Sequence, residues 1–256
     1  MPGPLLNYPL LVFLVSFLVL SAAARIGATR LARMRKLEQD VREDYGFVVG
    51  ATLTLLGLII GFSFSMAISR YDQRKNLEEA EASAIGTEYV RADLLPAADG
   101  ARVRALLKRY LEQRILFYSA RDESEIAAID ARVAQLHDQL WAAVVAPASA
   151  NPTPTVAMAV SGMNDVLNAQ GYAQAAASNR IPTAAWTLLL AIAVCANLLV
   201  GYGTRNVNAE RVLLLVLPAV VSVSFFLIAD IDTPRGGVIR VGPQNLQSLS
   251  EALGPR

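Results

Sequence analysis

The chain is poor in the residues on which most enzyme sites depend. Its 256 residues hold one cysteine, Cys195, and one histidine, His137. A lone cysteine closes no intramolecular disulfide, and Cys195, set in an apolar run, is expected to pack as a small hydrophobe. With no HExxH or CxxC spacing, a metal site of the usual nitrogen and sulfur type is not expected, nor is catalysis by a Ser/His/Asp or Cys/His set. No glycine-rich phosphate loop is present, so the sequence predicts neither an enzyme nor a cofactor. Charge is scarce as well: 18% of residues are charged and the net charge is +1, with no basic stripe interleaved with aromatics. Nucleic acid is therefore not an expected partner.

Apolar residues are abundant, at 54%, and the mean hydropathy is +0.39. Both values point to a membrane protein whose partner is the lipid bilayer. Leu5 to Ala24 is long enough to cross a hydrocarbon core of about 30 Å. Its cations follow the apolar run instead of preceding it, so a retained span is expected and not a secretion signal. Phe47 to Ser69 carries no charge, and Ala184 to Tyr202 and Val212 to Ala229 complete four expected spans. Pro218 is tolerable as a kink in the last. Trp186 is expected to act as an interfacial anchor, and Asn197 to hydrogen-bond a neighbouring helix.

More than a hundred residues separate the second and third spans, and they read as helices. Ile126, Ile129, Val133, Leu136, Leu140 and Ala143 recur at steps of three and four, as a packed helix requires. Asp122 with Glu125 has the pattern of a capping box. Val103, Leu106, Leu107, Tyr110, Leu111 and Phe117 mark a second seam, and Val156, Val160, Met163 and Leu167 a third. The prolines of "PASANPTP", Pro147 to Pro154, are expected to break the helix there. His137 falls one position off its seam, as a partly exposed bystander would. The expected fold is all-α: four transmembrane helices with a helical extramembrane bundle between the second and third. Residues 1–69 hold the first two spans, 70–183 the bundle, 184–231 the last two spans and 232–256 an interfacial tail. Leu246, Leu249 and Leu253 give that tail the spacing of a short amphipathic helix, resting on the membrane or on the bundle.

Charge also bears on orientation. Arg25, Arg30, Arg33, Arg35, Lys36, Arg42, Arg205 and Arg211 flank one side, against Arg70, Arg74, Lys75, Arg180, Arg235 and Arg240 on the other, eight to six. By the positive-inside rule this places the bundle outside the cytoplasm.

Where the second span leaves the membrane, Arg70, Tyr71 and Arg74 have the character of an interfacial belt. Beyond them Glu78, Glu81 and Glu88 follow, with Glu81 and Glu88 about 10 Å apart along a helix axis. That is too far for a shared proton, so a solvated or salt-bridged face is expected, with Ala82, Ile85 and Tyr89 packing opposite. Gly86 is either a close helix contact or a tolerated glycine. Asp230 and Asp232 are expected to end the fourth span structurally, ahead of Pro234, and to pair with Arg235 or Arg240. An ion-pathway role is the competing reading.

Two stretches, "GFSFSMAISRYDQRKNLEEAEASAIGTEYVRADLLP" from Gly61 and "DIDTPRGGVIRVGPQNL" from Asp230, resemble the signature blocks of the bestrophin-like domain proteins of bacterial membranes. Ser83 stands where that family usually has asparagine, and Thr233 and Gly236 where arginines are common. The first block is also similar to the pore-lining second helix of the bestrophins, pentameric channels mostly for anions. This resemblance implies a multi-pass protein of the bacterial inner membrane, a homo-oligomer, and a pore face on Thr54, Leu58 and Phe62. Those positions are four apart and share one helix face. Arg70 and Arg74 would form anion-attracting rings at the pore mouth, while a ring of Glu81 would favour cations. No acidic run resembling a calcium clasp is present, so calcium is not an expected ligand. The same resemblance implies a cytosolic bundle, opposite to the charge count. The alternative function is a non-conducting membrane scaffold that binds a partner protein through its bundle.

Overall fold

The computed structural model describes residues 4–31, 39–204 and 212–254. Eight α-helices are present among them: α1 (Pro9–Ile26), α2 (Gln39–Arg91), α3 (Ala97–Ser119), α4 (Glu123–Ala150), α5 (Pro154–Ser178), α6 (Thr183–Gly203), α7 (Leu213–Asp232) and α8 (Gln244–Ala252). No strand occurs among the described residues. Four helical segments each contain a stretch long and apolar enough to cross a membrane: Pro9–Leu31, Asp44–Leu94, Pro154–Gly203 and Leu214–Asp232. Arg33, Arg35, Lys36, Arg205 and Arg211, five of the cations in the charge count, lie outside the described residues. The chain divides into two compact units, one of Met1–Arg70 with Arg180–Arg240, the other of Tyr71–Asn179 with Val241–Arg256.

In the first unit α1 packs against α6 and α7. Small residues bring the end of α1 close to α6. A Cβ on Gly27 would strike the Leu198 carbonyl, and one on Gly201 would strike the carbonyl of Ala24. Between lipid-facing helices there is no hydrophobic gain from burying leucine, so close backbone approach supplies the attraction. Trp186 is a correction to the sequence reading: it is only 9% exposed and packs edge-on to Phe225 of α7, with ring centroids 6.1 Å apart. Asn197 is another. Its Nδ2 donates to the Ala193 carbonyl of its own helix at 2.8 Å, and no neighbouring helix accepts from it among the described residues. Cys195 is exposed on α6, where apolar side chains point outward, and is not packed inside. The α7 helix continues through Pro218.

The second unit is built like a soluble bundle. Its core joins Ile85 of α2, Leu107, Tyr110 and Leu111 of α3, Leu136 and Leu140 of α4, Met163 of α5 and Leu246 of α8. Burying each such side chain is worth about 1.5–3 kcal/mol. Every position of the α3 and α4 seams is buried. On α5 the seam drifts: Val156 and Met163 are buried, but Ala159, Gly162 and Val166 are buried where Val160 and Leu167 were expected. Small residues there let larger side chains from α2 approach.

The break between α4 and α5 is shorter than the prolines suggested. Pro147 is inside α4, which runs on to Ala150. A proline removes one amide donor, yet α4 continues past it, and Asn151 donates to the Pro147 carbonyl at 3.0 Å. The break itself is Asn151 to Thr153, and Thr153 caps α5 by accepting from the Val156 amide at 3.2 Å. Asp122 does occupy the N-cap position of α4, but its side chain makes no capping bond, so the expected box is not formed.

Candidate functional site

The α2 helix holds most of the candidate residues, and within the first unit it is scarcely covered. Its apolar window is 11% buried, against 50% for the window in α7. The buried positions Leu56, Ser63 and Ala67 share one face. Thr54, Leu58 and Phe62 lie roughly half a turn away, at about 100° per residue. Leu58 is 53% and Phe62 64% exposed, and Thr54 is exposed too. Thr54 Oγ1 donates to the Gly50 carbonyl at 2.9 Å, so its polar atom is satisfied within the helix. Beside this face Gly50, Gly57 and Gly61 have open space where a Cβ would stand. Arg70, half-buried, reaches back to Met66 Sδ at 3.6 Å; Tyr71 is half-buried and Arg74 buried.

Past Tyr71 the same helix turns carboxylates inward. Glu78, Glu81 and Glu88 are all buried, which corrects the solvated face expected of them and leaves the salt-bridged reading for Glu81 alone. Glu81 is gripped by Arg114 of α3, through Nε to Oε1 and through Nη2 to Oε2 at 3.2 Å. Tyr110 and Tyr118 donate their hydroxyls to it at 3.4 and 3.3 Å. The guanidinium lies 4.3 Å from the ring centroid of Phe117. Burial, then the Glu81 charge, pushes both phenols above the usual tyrosine range, so each remains a neutral donor. His137 packs against Tyr110 with the rings tilted by 42° and their centroids 5.5 Å apart. Burial and the nearby Arg114 charge lower its pKa, so it is held neutral.

Glu78 caps another helix. Its Oε1 accepts from the backbone amides of Asn245 and Leu246, both at 3.0 Å, and its Oε2 from Asn245 Nδ2 at 2.6 Å. These amides open α8, whose own N-cap residue, Pro243, has no side chain able to bond them. At the far end Lys108 Nζ donates to the carbonyls of Leu253 and Gly254, at 2.9 and 3.2 Å. A nine-residue helix is too short to persist alone, and here opposite charges meet both ends of its dipole. Gly86 admits α8: a Cβ there would lie 3.1 Å from Leu249 Cδ1. The bundle is thus where the tail helix rests, with Leu246 fully buried.

Asp230 and Asp232 also bond within their own unit. Asp230 accepts the amides of Val238 and Ile239, both at 2.8 Å, which folds the loop after α7 back onto the helix end. Gly237 fits because a Cβ would strike the Asp230 carbonyl. Asp232 accepts the Ile181 amide at 3.1 Å. Pairing with Arg235 or Arg240 was the expectation; backbone amides are the partners of Asp230. Among the described residues no three His, Cys, Asp or Glu side chains stand close enough to hold a metal ion.

Four apolar helices, a helical bundle inserted between the second and third, and a long second helix carrying an uncovered apolar face define an all-α membrane protein. The chain belongs to the Bestrophin-like domain family, which it matches over residues 15–246. No curated protein matches it. It is similar to solved structures of a bacterial bestrophin homologue from Klebsiella pneumoniae. One mutant form is 13% identical, with a TM-score of 0.64 over 94% of this chain and 97% of that one. Another structure of the homologue is 15% identical, with a TM-score of 0.61 over 95% of each. The chain is also similar to the solved structure of a membrane protein, 13% identical, with a TM-score of 0.63 over 96% of this chain and 97% of that one. At such identities the likeness establishes the fold alone.

Proposed function

We propose that the chain is the subunit of an oligomeric ion channel in the bacterial cell membrane, with α2 lining the conduction path. The observation that carries this reading is the uncovered face of α2. A helix that buries 11% of its apolar window needs lipid or other protein around it. Its open glycines suit close approach by further helices. Thr54, Leu58 and Phe62 then face the axis as a constriction whose apolar part is Leu58 and Phe62, and Arg70 and Tyr71 stand at its exit. Resemblance to the bestrophins favours a pentamer and anions, and Arg70 agrees in sign. Arg74, Glu81, Asp230 and Asp232 are buried within each chain, so we assign them to holding the subunit together and not to contact with ions.

Purified protein in liposomes is expected to pass chloride above the level of empty vesicles while running as an oligomer. A stable monomer without flux would sink the reading. Replacing Leu58 and Phe62 with alanine is expected to raise or derepress conductance. A second reading, a scaffold that binds a partner protein, draws on a groove lined by Trp141, Pro152, Val156 and Val160. Crosslinking of a defined partner along that groove, with no flux, would favour it.

A further inference from the structure

Glu88 differs from the other two carboxylates of α2. Glu78 and Glu81 are fully bonded, whereas neither oxygen of Glu88 has a hydrogen-bond partner among the described residues, although the residue is 0% exposed. It lies against Gly162 of α5. A Cβ on Gly162 would collide with Glu88 Oε2 and with the guanidinium and Cδ of Arg91, so both side chains occupy the space that the glycine leaves. Arg91 does not bond Glu88. Its Nη1 stands 3.8 Å from Asp165 Oδ2, a loose pair with the aspartate 62% exposed.

The charged groups acting on Glu88 are therefore Arg91 on its own helix and Asp165 on α5. From the α3 side, Gly100 packs on the Ala92 carbonyl and Arg104 is drawn to Asp93. Lys108 is held over the Tyr89 ring and by the end of α8. No second cation is directed at Glu88 among these.

We propose that Glu88 is a proton-binding site of the bundle, with Arg91 as its movable counter-charge. Protonated, the carboxyl packs against Gly162 and leaves Arg91 to Asp165. Deprotonated, it draws Arg91 off Asp165 and loosens the contact of α2 with α5. A buried carboxylate without a bonded partner is costly, and the acid gives up its charge to avoid that cost. Burial is the largest cause, opposed by Arg91 and reinforced by Asp165, and together they push the Glu88 pKa from 4.5 up to about 8. The folded chain then holds a proton that the unfolded chain releases. The resulting stability is fully present below 4.5 and is lost as pH rises through about 8.

The test uses the full chain in detergent, with thermal unfolding followed from about pH 5 to 9. The wild-type melting temperature is expected to fall as pH rises, and Glu88→Gln to abolish that fall and to melt above wild type at the alkaline end. An infrared band of a protonated carboxyl is expected at neutral pH and absent from Glu88→Gln. Arg91→Gln should move the titration midpoint up and Asp165→Asn should move it down; a merely structural role would change stability and leave the midpoint in place. The proposal is overturned if Glu88→Gln keeps the wild-type pH profile, or if no protonated carboxyl band is lost with it. Should Glu88→Gln fail to fold, an unmoved midpoint in Asp165→Asn, a change at an exposed side chain, overturns it equally. None of these readouts depends on ion flux, so a failure here is distinguishable from a failure of the channel reading.

Discussion

The two halves of α2 place their side chains by opposite rules. From Phe47 to Ser69 most large apolar residues point outward, Phe47 at 79% and Phe62 at 64% exposure, while Leu56, Ser63 and Ala67 are buried. From Tyr71 to Arg91 the buried set includes Ile85 but also Arg74, Glu78, Glu81 and Glu88. In lipid a phenylalanine loses nothing by facing out, so small residues take the helix contacts. In water the same residue is driven inward, and a charge can follow where partners replace its hydration, as at Glu78 and Glu81, or where it is given up, as we propose for Glu88. One continuous helix therefore carries two environments, and hydropathy alone reveals which half meets lipid.

The contrast can be broken most strongly at the buried ion pair. Arg114→Met leaves Glu81 buried without its counter-charge and is expected to destabilise the chain by about 3–5 kcal/mol. Chemical unfolding in detergent measures this, and adding Glu81→Met should recover much of the loss. If the single variant is as stable as wild type, the pair is not the centre of the bundle. Next comes the small-residue contact of the other unit. Gly201→Ala drives a Cβ into the Ala24 carbonyl and should cost about 1–3 kcal/mol in mixed-micelle unfolding. A smaller, local effect is expected from Glu78→Ala. It removes the remote cap of α8 for about 0.5–2 kcal/mol, visible as faster hydrogen exchange at the amides of Asn245 and Leu246 with the rest of the bundle still protected. The smallest effect sharpens the comparison: Leu58→Ala with Phe62→Ala should change monomer stability by no more than about 0.5 kcal/mol, as for exposed sites. A loss of several-fold more would mean that this face packs inside the chain.

Much of this architecture is legible from local pattern. The four apolar runs and the seams of α3 and α4 are periodic in hydrophobicity, and periodicity survives into the helix because it depends on near neighbours. Legibility fails where the partner is distant. Nothing around Glu78 announces that it will cap a helix 167 residues later. Glu81, Glu88 and Glu78 look alike in sequence, yet one is ion-paired, one unbonded and one a cap. Trp186 and Asn197 misled for the same reason, since a residue type has a typical place in a membrane helix but its actual neighbour is set by packing. A cue did exist for α5: Ala159 and Gly162 are small, and small residues on a helix mark where something else comes close.

By itself, then, the sequence determined that the protein is helical, that four stretches suit lipid and that a polar bundle lies between the second and third. Composition and spacing decide these because they follow from transfer free energy and helix geometry residue by residue. Only the tertiary structure decided that Arg74, Glu78, Glu81 and Glu88 of α2 go inward, that Gly162 makes room for the Glu88 carboxyl, and that the Thr54, Leu58 and Phe62 face is left open. Those outcomes depend on which side chains from remote segments arrive at the same place, and burial without hydration makes each arrival count.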